Sequence, residues 1–283
     1  MLYADDTQLY VVLEESTITT TVERVNKCLC DIKLWSTSNK LVLNESKTEI
    51  IHVHSKHRNM INTLPQIVVN SAPIDLTSDA RNLGVVFDDN LHFQKQINTV
   101  CSSAYLALNS IGKIRRYLDH QTTEKLVHAF VSSRLDQCNS LLYGLPNVQL
   151  DKLQRVQNCA ARLVTCNNKY THITPILREL HWLPIKARIE YKIILLTYKS
   201  LKGLAPHYLR SLLSSYAPKR MLRSSAKNLL QTPIARTKAY GERSFSVAAP
   251  KLWNNLPDTI KNIDSLDSLK KNLKTFLFRK HLS

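Results

Sequence analysis

RNLGVVFDDNLHFQKQINTVCSSAYLALNSI, residues 81–111, carries the change of pattern on which the fold turns. Apolar residues crowd together over Leu83–Phe87, and Gly84 among them allows close backbone approach or a bulge, so this part reads as a strand. From Phe93 the apolar period lengthens from two to about 3.6 residues. Ile97, Val100, Ala104, Leu108 and Ile111 then fall on one side of a helix. Sheet-forming sequence should end, and helix-forming sequence begin, near residue 92.

On the N-terminal side the pattern is mixed. MLYADDTQLYVVL, residues 1–13, reads as strand, tight turn and strand with Asp5 and Asp6 at the tip. Thr20 and Glu23 have capping-box spacing, and Val22, Val25, Leu29, Ile32 and Trp35 recur at helical intervals as far as Asn39. KLVLNESKTEIIHVH, residues 40–54, alternates on both sides of Asn44–Ser46 and predicts a hairpin; another strand is expected at Ile67–Val69. The expected class is α+β, with a sheet-bearing front followed by a mostly helical body.

On the C-terminal side, helix follows helix. A stripe through Leu126 and Phe130 follows the cap candidates Thr122 and Thr123 and stops at Gly144 and Pro146. The next runs through Leu153, Val156, Ala160 and Leu163, and Pro184 introduces Ile185, Ile189, Ile193 and Leu196, ending before Gly203. Residues 214–258 carry four prolines and a dense basic series that includes Lys219, Arg220, Arg223, Lys227, Arg236, Lys238, Arg243 and Lys251. Irregular exposed backbone is expected there, with FSVAAPKLWNNLP, residues 245–257, docked on the helices. A last helix, Ser265–His281, has Leu266, Leu269, Leu273, Phe276 and Leu277 on one side and basic residues toward the negative end of its dipole.

Five glycines and 7% aromatic residues in 283 argue against an all-β sandwich, a Gly-rich nucleotide fold and a low-complexity filament. The net charge of +17 is segregated. Residues 1–92 hold 8 Lys+Arg against 12 Asp+Glu, and residues 93–283 hold 31 against 10. A body so basic attracts polyanions, of which RNA and DNA are the commonest for such a protein. Six scattered cysteines without a secretory signal fit reduced thiols and an intracellular setting, compatible with nuclear import. No segment approaches the ~20 apolar residues of a membrane span, so no membrane partner is expected. Cys159, Cys166, His172 and His181 lack zinc-ligand spacing, and no G-x-S-x-G turn presents a nucleophile.

Two carboxylates on a hairpin tip supply part of a magnesium site of the kind that phosphoryl and nucleotidyl transfer use. YADDTQLY resembles the catalytic Y-x-D-D hairpin of reverse transcriptases. NKLVLNESKTEIIHV, RNLGVVFDDNLHFQKQI, LDQCNSLLYGLP, LQRVQNCAARLV, LHWLPIKARIEYKI, YGERSFSVAAPKLWNNLP and LKKNLKTFLF follow in the order used by non-LTR, LINE-type retrotransposon reverse transcriptases of the jockey kind. The resemblance covers Met1 to Phe278.

That resemblance implies a partial polymerase palm at 1–92, a helical thumb at 93–165 and a helical or irregular basic region at 166–283. It implies RNA-directed DNA synthesis as the family activity, with Asp5 and Asp6 as magnesium ligands and Lys47 near the incoming triphosphate. Tyr3 would lie beside the primer end, and Leu83 and Gly84 would form the turn that grips it. In the family a third aspartate and the fingers come from further upstream, so the expectation is a chain inactive as a polymerase by itself. Lys113, Arg115, Arg116, Lys152, Arg155 and Arg162 are the candidate phosphate contacts. The alternative reading is a non-catalytic binding module built from residues 93–283.

Overall fold

The computed structural model describes residues 2–3, 6–54, 65–69, 72–217 and 228–282. It divides into two compact units, Met1–His92 and Phe93–Ser283, at the point where the hydrophobic period changes. The chain is of mixed α+β class.

In the first unit β1 (Leu2–Tyr3) and β2 (Asp6–Thr7) pair antiparallel, with Tyr3 opposite Asp6. The strand expected over residues 9–13 is not formed: Tyr10 is 83% and Val12 79% exposed. A strand needs a neighbour for its N–H and C=O groups, and among the described residues nothing pairs with this one. Helix α1 (Ile18–Ser38) starts earlier than the capping-box spacing suggests, because the Thr20 hydroxyl donates to the Thr17 carbonyl from within the helix. Asn26 ties α1 to the next strands, donating to Gln66 O at 3.2 Å and accepting from Val68 N at 3.0 Å.

The hairpin expected around Asn44–Ser46 is replaced by a 3-10 turn, Glu45–Lys47, and β3 (Ile50–Ile51). β4 (Ile67–Val69) pairs with β5 (Ala72–Ile74), whereas β6 (Leu76–Thr77) lies parallel to β3. β7 (Asp79–Asn82) and β8 (Val85–Asp88) form a two-residue hairpin. Its turn residues Leu83 and Gly84 have φ of 46° and 82°, the left-handed pair that a twist-matched hairpin requires. Leu83 is therefore a turn residue, not the start of a strand. Among the described residues of this unit only Val22, Val69 and Val85 are buried apolar side chains.

The second unit has the core. α2 (Gln94–Ile114) presents Ile97, Ala104, Leu108 and Ile111 inward. α3 (His120–Val127) is capped by Asp119, whose carboxylate accepts from Thr122 N at 2.6 Å, rather than by a threonine. It runs through a π turn, His128–Ser132, into α4 (Ser133–Asp136). α5 (Asn147–Thr165) packs along α2, and Gln149–Gln94 and Lys152–Asn98 bonds of 3.4 and 3.2 Å make the two helices parallel. α6 (Ile173–Glu179) leads to α7 (Ile185–Leu201), which has more buried residues than any other described helix, and a short α8 (His207–Arg210) follows. Residues 93–165 and 166–283 thus share one compact unit, because α7 packs on α5 as well as on the later helices.

Residues 245–254, expected to be irregular, form α9 (Phe245–Asn254) with Pro250 inside it. The helix docks on α7, as expected for this stretch, and buries Val247, Ala248, Ala249, Leu252 and Trp253. Asn254 clamps the Leu230 backbone from both sides, accepting from its N–H at 2.9 Å and donating to its C=O at 2.8 Å. Of the basic series at 214–258, Lys219, Arg220, Arg223 and Lys227 lie outside the described residues. After α10 (Asp258–Lys261), helix α11 (Leu266–Leu282) lies antiparallel on α7, with Lys202 Nζ 2.7 Å from Asp264 at one end and Lys280 Nζ 2.8 Å from Glu190 at the other.

Glu190 gives this pair a pH dependence. It is buried, and its Oε2 faces Lys280 and, at 3.2 Å, His281 Nε2 on α11; the hydroxyl of Tyr143, which follows the 3-10 turn Asn139–Leu142, feels its charge. Burial pushes the Glu190 carboxyl up, but the hydrogen bonds from His281 and Lys280 outweigh it and hold the carboxyl below its ordinary range. A carboxyl lowered in the folded state stabilises fully above its unfolded pKa of about 4.3 and ceases to as pH falls through the lower folded value. Thermal melts at pH steps from 6 to 3 should show Glu190→Gln less stable than wild type at pH 6, with the gap closing toward pH 3. A gap that stays constant would show that the ion cluster adds nothing.

Candidate nucleic-acid interface

In the first unit, Asp5 and the side chain of Tyr3 lie outside the described structure, while Asp6 on β2 and Lys47 at the end of the 3-10 turn are exposed. Two hydrogen bonds bring their surroundings together. Asn82 Nδ2 donates to Gln8 Oε1 at 3.0 Å, and Arg81 N donates to Glu49 Oε2 at 2.9 Å. The Leu83–Gly84 turn is thereby fastened to the segment after Asp6 and to the segment after Lys47. Four candidate positions, Asp6, Lys47, Leu83 and Gly84, share one neighbourhood of this unit.

A magnesium site needs more than that neighbourhood supplies. Hard cations take several oxygen ligands, and among the described residues no three His, Cys, Asp or Glu side chains converge to hold a metal. The described residues by themselves do not constitute a magnesium centre.

In the second unit the expected phosphate contacts separate into inward and outward groups. Arg115 is spent on structure: Nε and Nη2 donate to the Leu163 and Val164 carbonyls at 3.0 Å each, and Nη1 to Leu118 O at 2.6 Å. Those carbonyls belong to the last turn of α5, so Arg115 caps the negative end of that helix. Arg162 turns inward to the Thr171 carbonyl at 3.1 Å. Lys152 donates to Asn98 across the α2–α5 seam. Lys113, Arg116 and Arg155 remain exposed.

The seam that carries Lys152 and Arg155 also holds two thiols and a phenol. Burial pushes the Tyr105 hydroxyl up, helped by Cys159 and Cys101 beside it, while Arg155 acts in the opposite sense. Burial likewise raises Cys101. Both shifts favour the neutral phenol and the neutral thiol. Ser132, His128 and Glu124 stand four residues apart, with the Ser132 hydroxyl 3.2 Å from His128 Nδ1 and His128 Nε2 3.5 Å from Glu124. Glu124 also accepts from Trp182 Nε1 at 3.2 Å, so this chain of bonds fastens the π turn to Trp182.

The composition of α7 and α11 escaped the sequence reading. The basic residues of α11 count there only as dipole partners and those of α7 not at all, yet Lys192, Lys271 and Lys274 are exposed. No described carboxylate lies within salt-bridge distance of any of the three. The available signal was the scarcity of acids: α7 contains only Glu190 and α11 only Asp267.

Among the described residues no helix is long and apolar enough to cross a membrane. Compared with models of known protein families, with curated proteins and with solved structures, the chain matches none.

Proposed function

We propose that this chain binds nucleic acid through its second unit, independently of sequence, by phosphate contacts. The observation that carries the reading is the segregation of charge: residues 93–283 hold 31 Lys+Arg against 10 Asp+Glu. A unit kept basic merely for solubility would mix both signs, whereas a polyanion ligand repays the repulsion among its cations. Binding of this kind releases counterions, so the logarithm of affinity falls linearly with that of salt concentration. Fluorescence anisotropy of the full chain on labelled duplex DNA should show binding at 50 mM salt and a 10³- to 10⁵-fold loss by 200 mM, the range for six to ten phosphate contacts. Binding that ignores salt, or none at 50 mM, would end the proposal.

Within that reading the first unit is part of a reverse-transcriptase palm and the second its thumb and C-terminal region, as the Y-A-D-D and L-G-V-V-F-D segments suggest. RNA is then a ligand as well as DNA. A second reading, template copying with magnesium, is favoured by the Arg81 and Asn82 bonds that draw Asp6, Lys47 and the Leu83–Gly84 turn into one neighbourhood. Primer extension on an RNA template with magnesium, wild type against Asp5→Ala, separates the two. Extension abolished by the substitution would make the chain a polymerase; salt-sensitive binding without extension leaves it a binding module.

A further inference from the structure

Resting on the nucleic-acid reading, we propose that the phosphate backbone of a duplex is held on the outer face of the antiparallel pair α7–α11, not on the α2–α5 seam. Lys192 on α7 and Lys271 and Lys274 on α11 are exposed, and Lys199 on α7 is half-buried. Lys192 and Lys199 are seven residues apart and so lie on one line of α7, about 10 Å apart along its axis. Over that length a DNA duplex presents about six charges. Lys271 and Lys274 are one-turn neighbours on α11, and half-buried Tyr191 of α7 feels the charge of Lys270 on α11.

The balance of charge on this pair is one-sided. Glu190 is buried and satisfied by Lys280 and His281, and Asp267 is paired with Lys270 at 3.0 Å. Arg188 and Lys202 are neutralised by Asp136 and Asp264. Among the described residues Lys192, Lys199, Lys271 and Lys274 form no salt bridge, although Lys271 acts on the Asp267 carboxylate through space. Like charges at helical spacing repel and lower helix stability, so an unneutralised set is costly unless an anion meets it. Of the six candidates on or beside the α2–α5 seam, Arg115 and Arg162 are turned inward and Lys152 is engaged by Asn98, which leaves Lys113, Arg116 and Arg155 exposed. The anion is a nucleic acid rather than a lipid surface: membrane-surface helices expose Trp, Phe or Leu to enter the interface, and no large apolar side chain of α7 or α11 is exposed.

The test uses the full chain with the quadruple substitution Lys192→Gln/Lys199→Gln/Lys271→Gln/Lys274→Gln and, as comparison, Lys113→Gln/Arg116→Gln/Arg155→Gln. Both are surface changes, and unchanged melting temperatures verify the fold. Each phosphate contact contributes about 0.9 to the slope of log affinity against log salt. The quadruple variant should therefore lose about 3 to 4 units of slope on a labelled duplex, and the comparison variant less than one. If the comparison variant loses the slope instead, the face is misassigned while nucleic-acid binding stands. If wild type binds no duplex at any salt, both proposals fall. Binding to phosphatidylserine vesicles without binding to duplex would overturn the choice of ligand.

Discussion

Leu273→Ala should lower the melting temperature of the second unit by roughly 6–20 °C. Leu269, Leu273 and Leu277 follow one another at four-residue intervals on α11, and all three are 0% exposed. Truncating such a leucine loses its transfer free energy and leaves a cavity that neighbours close only in part, a cost of about 3–5 kcal/mol. In a unit of this size each kcal/mol is worth about 2–4 °C. The comparison is Leu106→Ala on the exposed side of α2, 69% accessible, which should stay within about 0.5 kcal/mol of wild type. Melting followed by circular dichroism decides it: equal shifts for the two variants would mean that α11 is not docked. Because α11 carries Lys271 and Lys274, duplex binding by Leu273→Ala should match wild type below its own transition and vanish above it.

The amphipathic helices were legible because their signal is local. In α2, α5, α7 and α11 the apolar residues recur every three or four positions, and burial against a neighbouring helix makes that periodicity and the structure agree. The strands were less legible because pairing is not local. KLVLNESKTEIIHVH alternates as a hairpin would, but Ile50 and Ile51 pair with Leu76 and Thr77, a partner that no pattern within the segment could name. α9 was hidden by Pro250, which reads as a breaker. A proline there removes one helical hydrogen bond, and burial of Val247, Ala248, Leu252 and Trp253 against α7 outweighs that loss.

The candidate interface was legible in sign and not in place. Counting lysine and arginine finds the basic unit, but a count cannot tell Arg115, which caps α5, from Arg155, which faces water. Arginine is the residue most prone to this ambiguity, because its planar fork satisfies several carbonyls at once as readily as it binds a phosphate. Lysine, a point charge on a flexible stem, is more often left in solvent. The exposed cations of α7 and α11 are lysines, Lys186, Lys192, Lys271, Lys274 and Lys280, with Arg279 the one exception among the described residues.

Arg243 extends the same argument to a residue that the sequence places in an exposed basic series. Its guanidinium joins segments a hundred residues apart: Nε donates to Tyr143 O at 3.1 Å, Nη2 to Leu141 O at 3.3 Å and Nη1 to Ala239 O at 3.2 Å. Its stem lies over Gly144, whose φ is 71°, and a Cβ at that position would stand 2.7 Å from Arg243 Cγ. Glycine is required there twice, once for the backbone and once for the arginine above it. Arg243→Ala should cost about 2–4 kcal/mol, since charged donors to carbonyls are worth about 1.5–3 kcal/mol each but these are partly solvated. Arg243→Met keeps most of the stem and removes the donors, and Arg243→Lys restores at most one of the three bonds. Denaturant titrations should therefore rank wild type above Lys, Lys above Met and Met above Ala. A methionine variant within about 0.5 kcal/mol of wild type would show that packing over Gly144, and not the three carbonyl bonds, holds the 241–243 turn in place.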